Sequence, residues 1–200
     1  MKDIMKLVEF LMKYDFEGSI VLLEGKRNVL DNDKEKLFKL GVLLTEKSKF
    51  IKFRSGNADG ADSFFAKGVS AIDGSRMELI VPYSGHRKNE NNEYSTISLD
   101  SIDLANEQDV VLQSKRNLKT KKLIDKFVAG DSNRVTIKAA YIIRDTIKVI
   151  GTTDIKPANF AIFYDDLAKP KTGGTGHTMN ICKANNVEFI DQRVWMEWME

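Results

Sequence analysis

Short apolar runs alternate along the chain with longer segments whose apolar residues recur at helical spacing. This alternation restricts the fold more than any other feature of the sequence. The apolar runs are four to six residues long and fall at 19–23, 50–53, 77–81, 159–164 and 187–190. Strands separated by helices need crossover connections, which make neighbouring strands parallel and place helices on both faces of the sheet. The sequence therefore predicts an α/β protein with a doubly wound, mainly parallel sheet.

The middle of the chain carries three helical patterns with no apolar strand pattern between them. They fall at 99–112, 118–128 and 135–150, and Gly151 is suited to end the last one. No stretch between residues 114 and 132 has the composition of an interdomain linker. We therefore expect a single domain over residues 1–200, with a helical insertion at about 98–150.

The overall charge of the chain is too even to indicate a partner. Its 31 basic and 29 acidic side chains leave a net charge of +2, which by itself does not predict binding to nucleic acid. Six basic side chains cluster within residues 115–126. We interpret this run as the solvated face of a helix rather than as a nucleic-acid patch.

The few cysteines and histidines restrict the chemistry further. Cys182 is the only cysteine, so no disulfide can form within the chain; this fits a reducing, cytoplasmic compartment and a small buried side chain. His86 and His177 share no metal-ligand spacing with Cys182, so we expect neither a metal site nor a cofactor. No apolar run is long enough for a membrane-spanning helix, and we expect no membrane partner.

Glycine-rich or basic turns follow four of the predicted strands. In an open parallel sheet such turns meet at one edge, where ligands bind. The clearest is the turn Thr172-Gly-Gly-Thr-Gly-His-Thr178, which opens a predicted helix and could hold phosphate on its main-chain N–H groups. The turn Glu24-Gly-Lys-Arg-Asn28 adds a forked arginine donor. The turn at 82–88 adds Tyr83 and His86.

The remaining turn, at 55–62, has two glycines, and its main-chain N–H groups at a helix start could also hold phosphate. It contains two aspartates that allow two interpretations. Asp59 could read a ligand or cap the helix that follows, and Asp62 could bond a ribose hydroxyl or favour the helix dipole. The turns, together with Arg144 of the helix predicted at 135–150 as a second cation for phosphate, give a set of candidate ligand-binding residues: Gly25, Lys26, Arg27, Ser55, Gly56, Asn57, Asp59, Gly60, Asp62, Tyr83, Arg144, Gly173, Gly174, Thr175, Gly176, His177 and Thr178.

Several of these segments occur in the order of a known family. They are Ile20-Val-Leu-Leu-Glu-Gly-Lys-Arg27, Arg54-Ser-Gly-Asn-Ala-Asp-Gly-Ala-Asp62, Arg144-Asp145, Val149-Ile-Gly151 and Gly173-Gly-Thr-Gly-His-Thr178. Over roughly residues 18–195 the chain resembles the SMF/DprA–LOG (SLOG) superfamily, which includes DNA-processing protein A and the "Lonely Guy" phosphoribohydrolases. The resemblance implies a Rossmann-like fold, a nucleotide-type ligand, self-association and, as a further partner, single-stranded DNA.

The chain departs from the phosphoribohydrolase motif Pro-Gly-Gly-x-Gly-Thr-x-x-Glu. Aligning its glycines with Gly173 and Gly174 places Thr172 at the proline, His177 at the threonine and Asn180 at the glutamate. An amide cannot exchange a proton as that carboxylate does. Whether the chain is an enzyme therefore stays open, and the substitute catalytic carboxylates are Asp59, Asp62 and Glu24.

The sequence is compatible with three functions. The first is binding of a phosphate-bearing nucleotide derivative, such as a nucleoside monophosphate or an ADP-ribose-like compound, by a sensor or sequestering protein. The second is hydrolysis of a nucleotide's N-glycosidic bond. The third is binding of single-stranded DNA. For the carboxyl-terminal tryptophans, we expect Trp195 to pack in the core and leave Trp198 between packing and a homodimer contact.

Overall fold

A computed structural model describes residues 5–87, 94–131 and 133–200. Within these residues, six strands form one sheet in the order β4-β3-β2-β1-β5-β6, and every neighbouring pair is parallel. The strands are β1 (Ile20–Gly25), β2 (Lys52–Ser55), β3 (Met77–Val81), β4 (Ser95–Ser98), β5 (Phe160–Tyr164) and β6 (Glu188–Ile190). The prediction of a doubly wound, Rossmann-like α/β fold is confirmed.

Helices connect consecutive strands except β3 and β4, between which the described residues contain no helix. The helices are α1 (Leu7–Tyr14), α2 (Asp31–Lys47), α3 (Ala61–Asp73), α4 (Gln108–Ser114), α5 (Leu118–Val128), α6 (Ile137–Ile150), α7 (Gly173–Ala184) and α8 (Gln192–Trp195). Short 3₁₀ turns occur at Gly74–Arg76, Leu99–Ser101 and Met196–Met199. None of the described helices is long and apolar enough to cross a membrane.

The two faces of the sheet carry separate cores. On one face, residues such as Val21, Leu23 and Phe53 pack against α1, α2, α3 and α8. On the other face, Leu22, Ile80 and Phe163 pack against α4, α5, α6 and α7. Successive side chains of β1 point to opposite faces of the sheet, and both faces are covered by helices. The sequence of β1 is therefore a continuous apolar run.

Three elements differ clearly from the prediction. The strand β4 has the sequence Ser-Thr-Ile-Ser at the sheet edge, and it was missed because a partly exposed edge strand needs no apolar run. The strand β2 extends to Arg54 and Ser55, which are buried although they are polar. The helix predicted from Leu99 begins only at Gln108, after a single 3₁₀ turn.

The helices within 98–150 form the long connection between β4, at one edge of the sheet, and β5, on the far side of β1. In chain order, β1 to β4 lie successively further toward one edge of the sheet, and β5 and β6 lie on the other side of β1. The order of strands therefore reverses between β1 and β5, which is the position where open α/β sheets bind ligands.

Both carboxyl-terminal tryptophans pack within the chain. Trp195 is fully buried and donates an indole hydrogen bond to the carbonyl oxygen of Phe163 over 2.9 Å, as expected for a core residue. Trp198 lies against Phe10, with 5.2 Å between ring centroids, and donates to the carbonyl of Met5. These contacts favour packing over a dimer contact for Trp198. Cys182 is buried as predicted.

Candidate functional site

A cavity of about 640 Å³ opens at the point where the strand order reverses. Most of its wall comes from three parts of the chain: residues 24–27 at the end of β1, residues 172–175 at the start of α7, and the face of α6 that carries Tyr141, Arg144 and Asp145. Ala58 and Asp62 near the start of α3, and Asn117 and Thr120 at the start of α5, complete it. The predicted turns after β1 and β5 therefore meet in one cavity, because parallel strands end at the same edge of the sheet.

Two glycines let the turns after β1 and β2 approach each other. A Cβ atom on Gly25 would lie 2.6 Å from both the Cβ of Ala61 and the carbonyl oxygen of Tyr164. Gly60 has a φ of +82°, and a Cβ there would lie 2.1 Å from the carbonyl oxygen of Arg27. Both glycines are thus required by packing within the protein, and through Gly60 the turn after β2 fixes the backbone of Arg27.

The start of α7 presents main-chain donors to the cavity. The amide of Gly176 already bonds the carbonyl of Thr172, which leaves Gly173, Gly174 and Thr175 as the first-turn residues on the cavity wall. The first N–H groups of a helix lack partners within it, and the helix dipole makes this end favourable for an anion. Gly176 itself packs against Lys171, since a Cβ there would lie 2.0 Å from that residue's carbonyl oxygen.

A buried network of charges forms the floor of the cavity. Lys148 Nζ lies 2.6 Å from Glu24 Oε2 and 2.9 Å from Asp145 Oδ1. Arg144 Nη2 lies 2.9 Å from the same Asp145 oxygen, and Thr178 donates its hydroxyl to Glu24 Oε1 over 2.9 Å. All five residues are at most 5% exposed. The network ties β1, α6 and α7 together.

Burial and neighbouring charges shift the ionisation of this network in opposite directions. Burial raises the pKa of Glu24 to about 7, against the opposing effect of Lys148. Burial alone would lower the pKa of Lys148, but Asp145 and Glu24 raise it above its ordinary value. The cations Arg144 and Lys148 lower the pKa of Asp145 in spite of burial. Glu24 is therefore the member of the network that titrates near neutral pH.

Replacing Glu24 with glutamine should make the free energy of unfolding less dependent on pH. The folded-state pKa of Glu24 is raised, so its contribution to stability is present below about pH 4.5 and is lost as the pH rises through about 7. Urea denaturation at pH 5 and pH 8 should show a larger fall for the wild type than for Glu24→Gln. Glu46→Gln, at an exposed position, serves as the control. Identical pH profiles for wild type and Glu24→Gln would contradict the prediction.

The expectation that the amides of the turn after β2 hold phosphate is wrong for Gly56. Asp62 Oδ2 accepts hydrogen bonds from the amides of Gly56, over 3.2 Å, and Ala58, over 3.4 Å, while its Oδ1 accepts from Gly25 over 3.0 Å. Asp62 lines the cavity, but both of its carboxylate oxygens accept hydrogen bonds from the protein's own backbone. Its position thus supports the structural interpretation of this residue over contact with a ribose.

The other predicted residues of this region lie beside the cavity rather than on its wall. Asp59 forms an ion pair with Arg87, and the side-chain amide of Asn57 reaches the carbonyl of His86. Ser55 is fully buried. Tyr83 packs its ring edge-on to His86, with 5.1 Å between centroids.

The two polar residues at the end of the α7 turn have different positions. Thr178 is fully buried and is used by Glu24, so the expectation that it contacts a ligand is wrong. His177 lines the cavity, and its Nε2 lies 3.2 Å from Thr146 Oγ1. Burial lowers the pKa of His177, which favours the neutral imidazole at neutral pH.

Sequence reasoning missed Tyr141 and Lys148, although it found Arg144. The three residues and Asp145 recur at spacings of three or four, which places them on one side of α6. The apolar residues of α6 led to its interpretation as a helix that only packs against the core. The polar residues on one side of the same helix were the signal that could have revealed this wall of the cavity.

One buried polar atom on the cavity wall has no partner. Arg144 is 5% exposed; it donates through Nη1 to the carbonyl of Gly56 and forms an ion pair through Nη2 with Asp145, but no atom of the described residues accepts a hydrogen bond from its Nε. A buried donor left unbonded is costly, and such atoms in native structures often mark a ligand or water site. No group of three or more potential metal ligands occurs among the described residues.

Comparison with known proteins supports the fold. No family model and no curated protein matches the sequence. Among solved structures, DNA processing protein A from Helicobacter pylori, studied for its single-stranded DNA binding mode, superposes with a TM-score of 0.50 at 14% sequence identity. The match covers 88% of this chain and 65% of the other, so this chain spans about two thirds of that protein. The likeness shows a fold of the DNA-processing-protein-A type.

Proposed function

We propose that this protein binds a phosphate-bearing nucleotide or nucleotide derivative in the cavity between β1 and β5, and that it belongs to the SLOG superfamily. The observation that carries the proposal is the meeting of the α7 amino terminus with Lys26 and Arg27 in one cavity at the reversal of strand order. A cavity of this volume is in the range of small-molecule sites in proteins. A protein that binds such a ligand without converting it would act as a sensor or would sequester the ligand.

The phosphate group is best placed against the first turn of α7. There the first-turn amides of Gly173 and Gly174 and the helix dipole favour negative charge. Arg27 is exposed at the cavity and has a forked, charged head that matches phosphate oxygens. Lys26 is held near Asp166, with 3.8 Å between Nζ and Oδ1, and adds a second cation to the same side.

The nucleobase is best placed against α6. Tyr141 lines the cavity together with Ile137 and Ile142, and this apolar wall is the part of the site suited to a flat, aromatic group. The Tyr141 ring is held by the guanidinium of Arg144, 5.5 Å from its centroid, and by the edge of His86, with 5.9 Å between ring centroids. The ring is thus positioned before any ligand arrives.

Titration calorimetry with three related compounds tests the proposal. Adenosine 5′-monophosphate should bind more tightly than either ribose 5-phosphate, which lacks the base, or adenosine, which lacks the phosphate. Each charged or stacked contact contributes roughly 1–3 kcal/mol, so each truncation should weaken binding about 10-fold or more. No heat with any nucleotide would contradict the proposal.

A variant of the cavity wall provides the internal control. Tyr141→Leu should weaken binding of the monophosphate and leave binding of ribose 5-phosphate unchanged, because only the base contacts the ring. Tyr94→Leu is the matched substitution, at a partly buried tyrosine that does not line the cavity. Equal losses for both compounds would show that the base lies elsewhere.

Single-stranded DNA is the second candidate partner, favoured by the likeness to a DNA processing protein. Binding through phosphate contacts would weaken steeply as salt is raised, whereas binding of a mononucleotide would change much less. Lys121 and Lys122 are exposed on α5 and do not line the cavity between β1 and β5. Replacing both with alanine should affect binding to oligo-dT but not to the monophosphate.

Glycosidic hydrolysis gains no support from the carboxylates considered for it. Asp59 is paired with Arg87, Asp62 is bonded by backbone amides, and both oxygens of Glu24 are engaged by Lys148 and Thr178. Asn180, at the position of the phosphoribohydrolase glutamate, lines a neighbouring cavity instead. Our proposal is therefore limited to binding.

A further inference from the structure

A second cavity, of about 670 Å³, adjoins the first beside the opening turn of α7. The two cavities share Asn117, Gly173 and His177, so they lie side by side around the start of this helix. Neither the motif resemblance nor the proposed function assigns a role to the second cavity. Together the two volumes exceed what one mononucleotide needs.

The second cavity is strongly and uniformly basic. Arg116, Lys171 and Lys183 line it, and its described lining includes no acidic residue. None of these three cations takes part in an ion pair recorded among the described residues. The first cavity differs, because Glu24, Asp62 and Asp145 offset its cations. The second cavity therefore has unbalanced positive charge that favours an anionic group.

The backbone at the boundary between the two cavities leaves open space at Gly173. Gly173 lines both, has a φ of +64°, and a Cβ atom there would meet no atom within 4 Å. This contrasts with Gly25, Gly60 and Gly176, where a Cβ would collide with the protein itself. The space at Gly173 is open, so no side chain of this residue separates the two cavities.

We propose that both cavities are filled by one ligand with two phosphate groups, a dinucleotide whose two nucleosides are joined through phosphate. One phosphate lies at the α7 amino terminus in the first cavity, as in the proposed function on which this inference rests. The other lies among Arg116, Lys171 and Lys183 in the second. The buried Arg144 Nε, which has no partner within the described residues, adds a donor for the part of the ligand in the first cavity.

Calorimetry with linear 5′-phosphorylated diadenylate (pApA) and with adenosine monophosphate tests the inference. For the wild type, pApA should bind about 10-fold or more tightly than the monophosphate, with one ligand per chain, because a linked second group binds at high effective concentration. The double variant Arg116→Ala/Lys183→Ala should lower the affinity for pApA about 10-fold or more and leave the affinity for the monophosphate unchanged.

The matched control is Lys121→Ala/Lys122→Ala, which removes the same charge from exposed positions that line neither cavity. It should bind both compounds as the wild type does. Equal affinities for pApA and the monophosphate, or equal losses in the two double variants, would overturn the inference while the proposed function stands. Binding of neither compound would instead show that the proposed function fails.

Discussion

Replacing Lys148 with methionine should lower the free energy of unfolding by about 3–5 kcal/mol, the range found when one partner of a buried ion pair is removed. Lys148 is fully buried, and its ammonium group contacts the carboxylates of both Glu24 and Asp145. Methionine keeps most of the volume of the side chain but leaves two buried carboxylates without this cation. Urea denaturation followed by circular dichroism measures the loss.

Two comparisons separate the charge effect from general damage to α6. Lys138→Met changes an exposed lysine of the same helix and should cost less than about 1 kcal/mol. The double variant Lys148→Met/Glu24→Gln should recover part of the loss, because one of the orphaned charges has been removed. A single-variant loss no greater than that of Lys138→Met would show that the network does not stabilise the fold.

Replacing Arg27 with alanine should weaken binding of adenosine monophosphate by about 10- to 100-fold. A hydrogen bond between charged groups contributes roughly 1.5–3 kcal/mol, and Arg27 is the exposed guanidinium at the turn after β1. The loss should be smaller for adenosine, which offers no phosphate to this side chain. Calorimetric titration of both compounds measures the difference.

Lys52→Ala is the matched control for this experiment. Lys52 is an exposed cation at the first residue of β2, and because the strands are parallel it lies at the opposite end of the sheet from the cavity. Its removal should leave both affinities as they are. If Arg27→Ala binds the monophosphate as tightly as the wild type does, the phosphate does not lie at the turn after β1.

The sheet and the meeting of its turns could be predicted because they depend on patterns that extend over many residues. Buried strands between amphipathic helices leave few alternatives to a parallel sheet, and parallel strands necessarily bring the turns after residues 25 and 164 to one edge. The edge strand β4 escaped prediction for the converse reason. Its polar Ser-Thr-Ile-Ser sequence forms backbone ladder bonds with β3 that no side-chain pattern reveals.

The interior of the site was harder to predict, because glycine and aspartate serve packing as readily as ligands. The turn after β2 matched a phosphate cradle in sequence, yet its amides are taken by Asp62 and its Gly60 is required by the backbone of Arg27. The burial of Lys148 could not be anticipated either. A lysine in a helix is normally exposed. Its desolvation is compensated here by Asp145, one turn earlier in the same helix, and by Glu24, which only the three-dimensional fold brings near.

The charge network beneath the cavity has a consequence for the kinetics of association. Because Glu24, Lys148 and Thr178 join β1, α6 and α7, the three walls cannot separate without breaking buried ionic contacts. The cavity is therefore preorganised, and its walls need little further ordering when a ligand binds. Association rates should then be governed by diffusion and by the long-range field of the rim cations, so that they fall with ionic strength but change little with solvent conditions that alter backbone flexibility.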